Sequence, residues 1–199
     1  MPAPPPQHPF DQIHGVETSG LIAAGNLITG HPNDSHVTAY YGVAPSILRT
    51  LIGLWSATNP PHPISHYTFI DIGAGKGRAM LVASEFSFHQ VIGIELNPTL
   101  AFLFHPFEAP VLKLFLRRIE ARFAKKPGSP PPTFDLLYVN AECRKILDQH
   151  PAFTRLFLGP VAMSPEDHAA DLAAIAQQKE YGSTGDEECA IYRYTGRSK

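Results

Sequence analysis

The chain has 199 residues, of which 44% are apolar and 17% charged. Its 16 Lys and Arg against 18 Asp and Glu leave a formal charge of −2, which gives no electrostatic argument for a nucleic-acid or anionic-membrane partner. The apolar share excludes wholesale disorder, the length suits one domain with appendages, and Cys143 and Cys189 form no CxxC pair to indicate a zinc site or a disulfide framework.

Residues 1–10 carry five of the 20 prolines and predict a disordered or polyproline arm. They show no basic-then-apolar leader pattern, and no window of the chain approaches 18 apolar residues. A soluble, cytoplasmic protein is the expectation. Residues 11–66 predict an N-terminal helical and irregular extension. Within it, Ala44–Ala57 fits an amphipathic helix, with Pro45 in the first turn and Ile47, Leu48, Leu51, Ile52 and Trp55 on one stripe. Pro60, Pro61 and Pro63 then stop any helix and make a helical metal pair from His62 and His66 improbable.

Residues 67–199 read as one α/β domain. Tyr67–Ile72 is a short β-rich run, the glycine turn Gly73–Gly77 follows at once, Arg78–Phe86 has helical composition and Gln90–Glu95 is a second strand. Strand, turn, helix and strand at this spacing make a βαβ unit and imply a parallel sheet. Further on, residues 108–126 predict an amphipathic helix, Phe134–Val139 a strand and Cys189–Tyr194 a last strand. Ser164-Pro165-Glu166-Asp167 is a capping box that opens a helix reaching Gln178.

The strongest chemical signal is Asp71-Ile-Gly73-Ala-Gly75-Lys-Gly77, with Glu95 after the second strand. A nucleoside ligand lies across the carboxyl ends of parallel strands, so the backbone there must turn sharply and leave room. Glycine allows both, because it has no Cβ. An acid ending the second strand can accept the ribose hydroxyls. The spacing is not the G-x-G-x-x-G of dinucleotide sites, and the residues after Gly77 do not make a P-loop.

The D-x-G-x-G-x-G form resembles the first motif of class I S-adenosylmethionine-dependent methyltransferases. Segments His14–Gly20, Thr38–Ser46, Phe69–Arg78, Val91–Pro98, Phe102–Phe107 and Leu137–Asn140 are similar to a small, largely bacterial group of these enzymes with mostly unassigned substrates. The resemblance implies a Rossmann-like, mostly parallel sheet flanked by helices. It implies S-adenosylmethionine as cofactor and methyl transfer to an unidentified acceptor, possibly a nitrogen. Asp71, Gly73, Gly75, Gly77 and Glu95 are the expected cofactor contacts, Tyr41 a further one from the extension, and no metal is expected. His105 and Phe107 stand where amino-methyltransferases carry a catalytic polar-Pro-aromatic loop. Tyr40, Tyr41 and His36 belong to a segment suited to covering the cofactor. Lys76 and the basic face at Arg117, Arg118 and Arg122 read as solvated.

One departure from the family stands out. A class I domain follows its second strand with a helix, a third strand and a helix, yet only residues 96–101 separate Glu95 from Phe102. The expectation is an internal deletion near Ala101. The alternative is a short helix over 99–105. With the deletion comes a second functional expectation, a catalytically impaired methyltransferase-like protein or shortened product that acts, if at all, by binding.

Overall fold

The computed structural model describes residues 7–26, 39–94, 100–104, 108–123, 133–178 and 185–196. Six strands form one sheet: β1 (Thr68–Ile72), β2 (Gln90–Ile94), β3 (Leu100–Phe104), β4 (Asp135–Val139), β5 (Phe153–Val161) and β6 (Glu187–Tyr194), in the order β2-β1-β3-β4-β6-β5. The pairs β1–β2, β1–β3 and β3–β4 are parallel, and β6 runs antiparallel to β4 and β5. The fold is a Rossmann-like α/β sheet with helices on both faces.

Alternation along the strands builds the two faces. Phe69, Phe102, Leu137, Val139, Cys189 and Ile191 point to one side. Helix α2 (Pro45–Ala57) meets them there with Ile47, Leu48, Leu51, Ile52 and Trp55, and α3 (Arg78–Ser84) with Val82 and Ala83. Ile70, Ile72, Ala101, Leu103, Leu136, Tyr138, Ala190 and Tyr192 point to the other side, against Leu112, Leu116 and Ile119 of α4 (Ala109–Phe123) and Leu147 of α5 (Arg144–Asp148). The buried strands β1 and β4 are near-continuous apolar runs because both their faces are covered.

Two features differ from the sequence expectations, and a third decides between two alternatives. The N-terminal arm ends earlier: helix α1 (Pro9–His14) begins inside it, with Phe10 buried in the core, because the His8 side chain and Pro9 at the first helical position start the helix. Residues 1–6 lie outside the described residues. Strand β5 was not expected, since Gly159 and Pro160 interrupt its pattern. It is an edge strand, the one place in a sheet where proline is tolerated. Residues 100–104 form strand β3 rather than a short helix.

Strands β2 and β3 flank β1 on opposite sides. Ile94 lies level with Ile72 on one side of β1, and Leu100 level with Phe69 on its other side. Ile94 and Leu100 therefore stand roughly 10 Å apart along the strands and about 10 Å apart across the sheet. Six residue steps reach about 20 Å when extended. That length suffices for the path but not for a helix, a strand and a second helix, and a parallel crossover ordinarily takes about a dozen residues or more. Ala101, expected at the junction, is an interior residue of β3 opposite Ile70.

No described helix is long and apolar enough to cross a membrane.

Candidate functional site

The direction of chain travel reverses at β1. The chain moves outward from β1 to β2, then crosses back to β3 on the other side. In open α/β sheets ligands bind outside the carboxyl ends of the strands at such a switch point. The carboxyl end of β1 carries Asp71 and then the glycine turn.

Asp71 is 4% exposed. Among the described residues no donor bonds its carboxylate, and burial pushes its pKa up to about 7. Gly73, Gly75 and Gly77 all have positive φ, at 81°, 49° and 82°, which explains three glycines in one turn. The turn closes with a hydrogen bond from Gly77 N to Ala74 O at 2.7 Å. On the neighbouring strand Gly93 lies level with Asp71. A Cβ there would come within 2.3 Å of Met80 Sδ and 3.1 Å of Ala74 Cβ, so its absence lets the turn and α3 sit down on β2.

The N-terminal segment lies directly on this turn. A Cβ on Gly75 would stand 2.3 Å from the Tyr40 ring, so the close approach at Gly75 is made by Tyr40. Tyr40 O–H donates to Thr18 O at 2.8 Å, and its backbone pairs with Ile22 in an isolated antiparallel bridge. Lys76, expected to be solvated, is exposed but donates to Ser19 O at 2.7 Å and stands over the Tyr40 ring. Arg78, the first residue of α3, is buried. Its guanidinium donates to Thr18 Oγ1 at 2.7 Å, Ser19 Oγ at 3.2 Å and Gly42 O at 3.3 Å, with Asp11 at 3.8 Å.

Asp11 organises the segment from within. Its carboxylate accepts Thr18 N at 2.7 Å, Ser19 N at 2.8 Å, Ser19 Oγ at 2.7 Å and the Thr18 hydroxyl. Burial alone would raise its pKa. The hydrogen bonds from Thr18 and Ser19, with Arg78 beside them, hold it below the usual carboxylate value.

Tyr41 faces elsewhere. It lines a small cavity of about 10 Å³ together with His8, Ser19, Gly42, Arg78 and Asp171. Here Asp171 belongs to helix α6 (Pro165–Gln178). Tyr41 O–H and the Asp171 carboxylate interact there, and among the described residues Tyr41 O–H, Asp171 Oδ2 and His8 Nε2 make no hydrogen bond of good geometry. A polar space of this size suits a single water. Burial raises the Asp171 pKa to about 6. His8 accepts Phe10 N–H through Nδ1 at 3.1 Å, so the neutral ring carries its proton on Nε2, 3.5 Å from Asp167 Oδ1.

The fold therefore brings Asp71, Gly73, Gly75 and Gly77 together at the switch point, while Tyr41 lies beside α6 and Tyr40 takes the position on the turn. Glu95, His105, Phe107 and His36 lie outside the described residues. Arg78, Asp11 and Gly42 were not singled out in the sequence. The available signals were a charged residue at the first position of a helix that must pack on a sheet, and a glycine in an otherwise apolar stretch before α2.

No protein-family model matches the chain, and no curated protein matches it either.

Proposed function

We propose that the chain is a class I S-adenosylmethionine-dependent methyltransferase whose cofactor lies across the glycine turn at the switch point. The observation that carries this is Asp71: a carboxylate buried at the end of β1, beside three positive-φ glycines, with no cation beside it among the described residues. Burying an unpaired carboxylate is costly, and a ligand ammonium group at this place would remove the cost. S-Adenosylmethionine carries such a group on the end that would approach the turn. In this reading the turn admits the ligand at Gly73 and Gly77, Tyr40 covers the turn at Gly75, and Glu95 accepts the ribose hydroxyls.

The chemistry needs little from the protein beyond positioning. A lone pair of the acceptor attacks the methyl carbon in line with the carbon–sulfur bond. The bond breaks, its electrons pass to sulfur, and the products are the methylated acceptor and S-adenosylhomocysteine. A proton on the acceptor leaves to a base or to solvent, and His105 and Phe107 are the candidates for orienting that acceptor.

Calorimetric titration with S-adenosylmethionine, S-adenosylhomocysteine and NAD tests the proposal. Saturable binding of the first two and none of NAD is expected. Binding of none by the folded chain overturns it, and binding of NAD alone replaces it with a dinucleotide site. The five-residue link between β2 and β3 favours a second reading, a shortened member that binds the cofactor without turning it over. Tight binding with no S-adenosylhomocysteine formed across a panel of acceptors distinguishes the two.

A further inference from the structure

Positions 75, 76 and 78 of the turn and helix start each hold a different part of the N-terminal segment. Tyr40 rests on Gly75, Lys76 donates to Ser19 O, and Arg78 reaches Thr18, Ser19, Gly42 and Asp11. Among the described residues, every hydrogen-bond partner of the Arg78 guanidinium comes from that segment, with Asp171 of α6 a further charge nearby. Its side chain is 5% exposed and enters a space kept open by Gly42, where a Cβ would stand 2.8 Å from the guanidinium carbon. The conformation of the turn and the docking of residues 7–26 and 39–43 are thus one arrangement, joined through a buried cation.

We propose that Arg78 is a positioning residue that couples occupancy of the glycine turn to docking of the N-terminal segment. The inference rests on the turn being the S-adenosylmethionine site. A ligand that orders the turn strengthens the hold of Arg78 on Thr18 and Ser19, and by reciprocity a docked segment strengthens ligand binding. Asp11 fixes the ring of hydrogen bonds that Arg78 grips, so the segment docks as a preformed unit.

Hydrogen exchange of the Thr18 and Ser19 amides, both bonded to Asp11, measures docking directly. The ligand is S-adenosylhomocysteine, and the β4 amides serve as the control for global folding. In the wild-type chain, saturating ligand should slow exchange at Thr18 and Ser19 by about tenfold, the middle of the usual coupling range. In Arg78→Met the slowing should vanish and affinity should fall by about tenfold, as expected for lost charged hydrogen bonds, while β4 stays protected. Arg78→Lys, which keeps the charge, should recover part of both effects. Gly42→Ala, which leaves Arg78 in the chain but crowds its guanidinium, should behave like Arg78→Met and decides the matter if that variant does not fold. Ligand binding to the wild type without added protection at Thr18 and Ser19 overturns the coupling alone. So does wild-type affinity in Arg78→Met or Gly42→Ala. Failure of the wild-type chain to bind the ligand overturns the functional proposal and this inference with it.

Discussion

Asp71 keeps its proton up to a pH of about 7 in the folded chain, against 3.8 for an ordinary aspartate. Between those values the folded state binds more protons than the unfolded state, so this residue makes stability fall as pH rises, and the penalty is complete above pH 7. Asp71→Asn should therefore stabilise the unliganded chain at pH 8 by about 2–4 kcal/mol while removing the carboxylate a ligand ammonium needs. Urea denaturation at pH 8 reads the first effect, and a variant less stable than wild type would show that Asp71 has a partner after all. Asp171 has the same sign, with its window ending at about 6. His8 has the opposite sign: burial first, then Arg78, lowers its pKa below 6.5, so folding loses stability as pH falls below 6.5 toward the folded value. Gly75 and Tyr40 form a second residue-scale pair. Gly75→Ala adds strain of about 1–2 kcal/mol at its positive φ and drives a methyl into the Tyr40 ring. Combining it with Tyr40→Ala should remove the clash, so the double variant should be less destabilised than the sum of the singles. Strict additivity in thermal denaturation would mean that Tyr40 does not rest on the turn.

Between elements, one buried polar group ties α2 to the sheet. Asp135, fully buried at the start of β4, accepts Trp55 Nε1 from α2 at 2.8 Å and both Arg193 Nε and an Arg193 terminal nitrogen from β6 at 2.9 Å. The pairing raises the Arg193 pKa further. Removing one member of a buried pair leaves the others unpaired, so Asp135→Ala should cost about 3–5 kcal/mol. Chemical denaturation measures this, and a loss under 1 kcal/mol would show that Arg193 and Trp55 find water instead. At the other end of α2, Ala44 offers no side-chain cap, and Asp167 of α6 accepts Ser46 N–H at 2.7 Å in its place. The same carboxylate faces His8, so α1, α2 and α6 meet at one acid.

Across the whole molecule, the proposed cofactor site would link ligand occupancy to proton count through Asp71. A cationic ligand prefers Asp71 ionised, so below pH 7 its binding must expel a proton. Affinity for S-adenosylmethionine should rise about tenfold per unit as pH increases toward 7 and level off above it. Calorimetry at pH 6 in buffers of different ionisation enthalpy should report close to one proton released per ligand bound. A flat profile with no buffer dependence would remove Asp71 from the site. Among the described residues the sheet ends at β2 on this side.

The sequence by itself determined the βαβ unit, the amphipathic helices and the glycine turn led by Asp71. These depend on local rules: alternation, helical spacing, and the need for glycine at positive φ. It also showed how few residues separate Glu95 from Phe102, because a count of residues between two segments needs no coordinates. Only the tertiary structure decided what fills the space around the turn. Burial of Asp71 with no cation beside it among the described residues, the contact of Tyr40 rather than Tyr41 with Gly75, and the grip of Arg78 on Asp11, Thr18, Ser19 and Gly42 join residues up to 67 positions apart. Strand β5 became legible only from its place at the sheet edge, where proline is best tolerated. Such partnerships are set by how elements pack, and no local pattern encodes which side chain meets which across the fold.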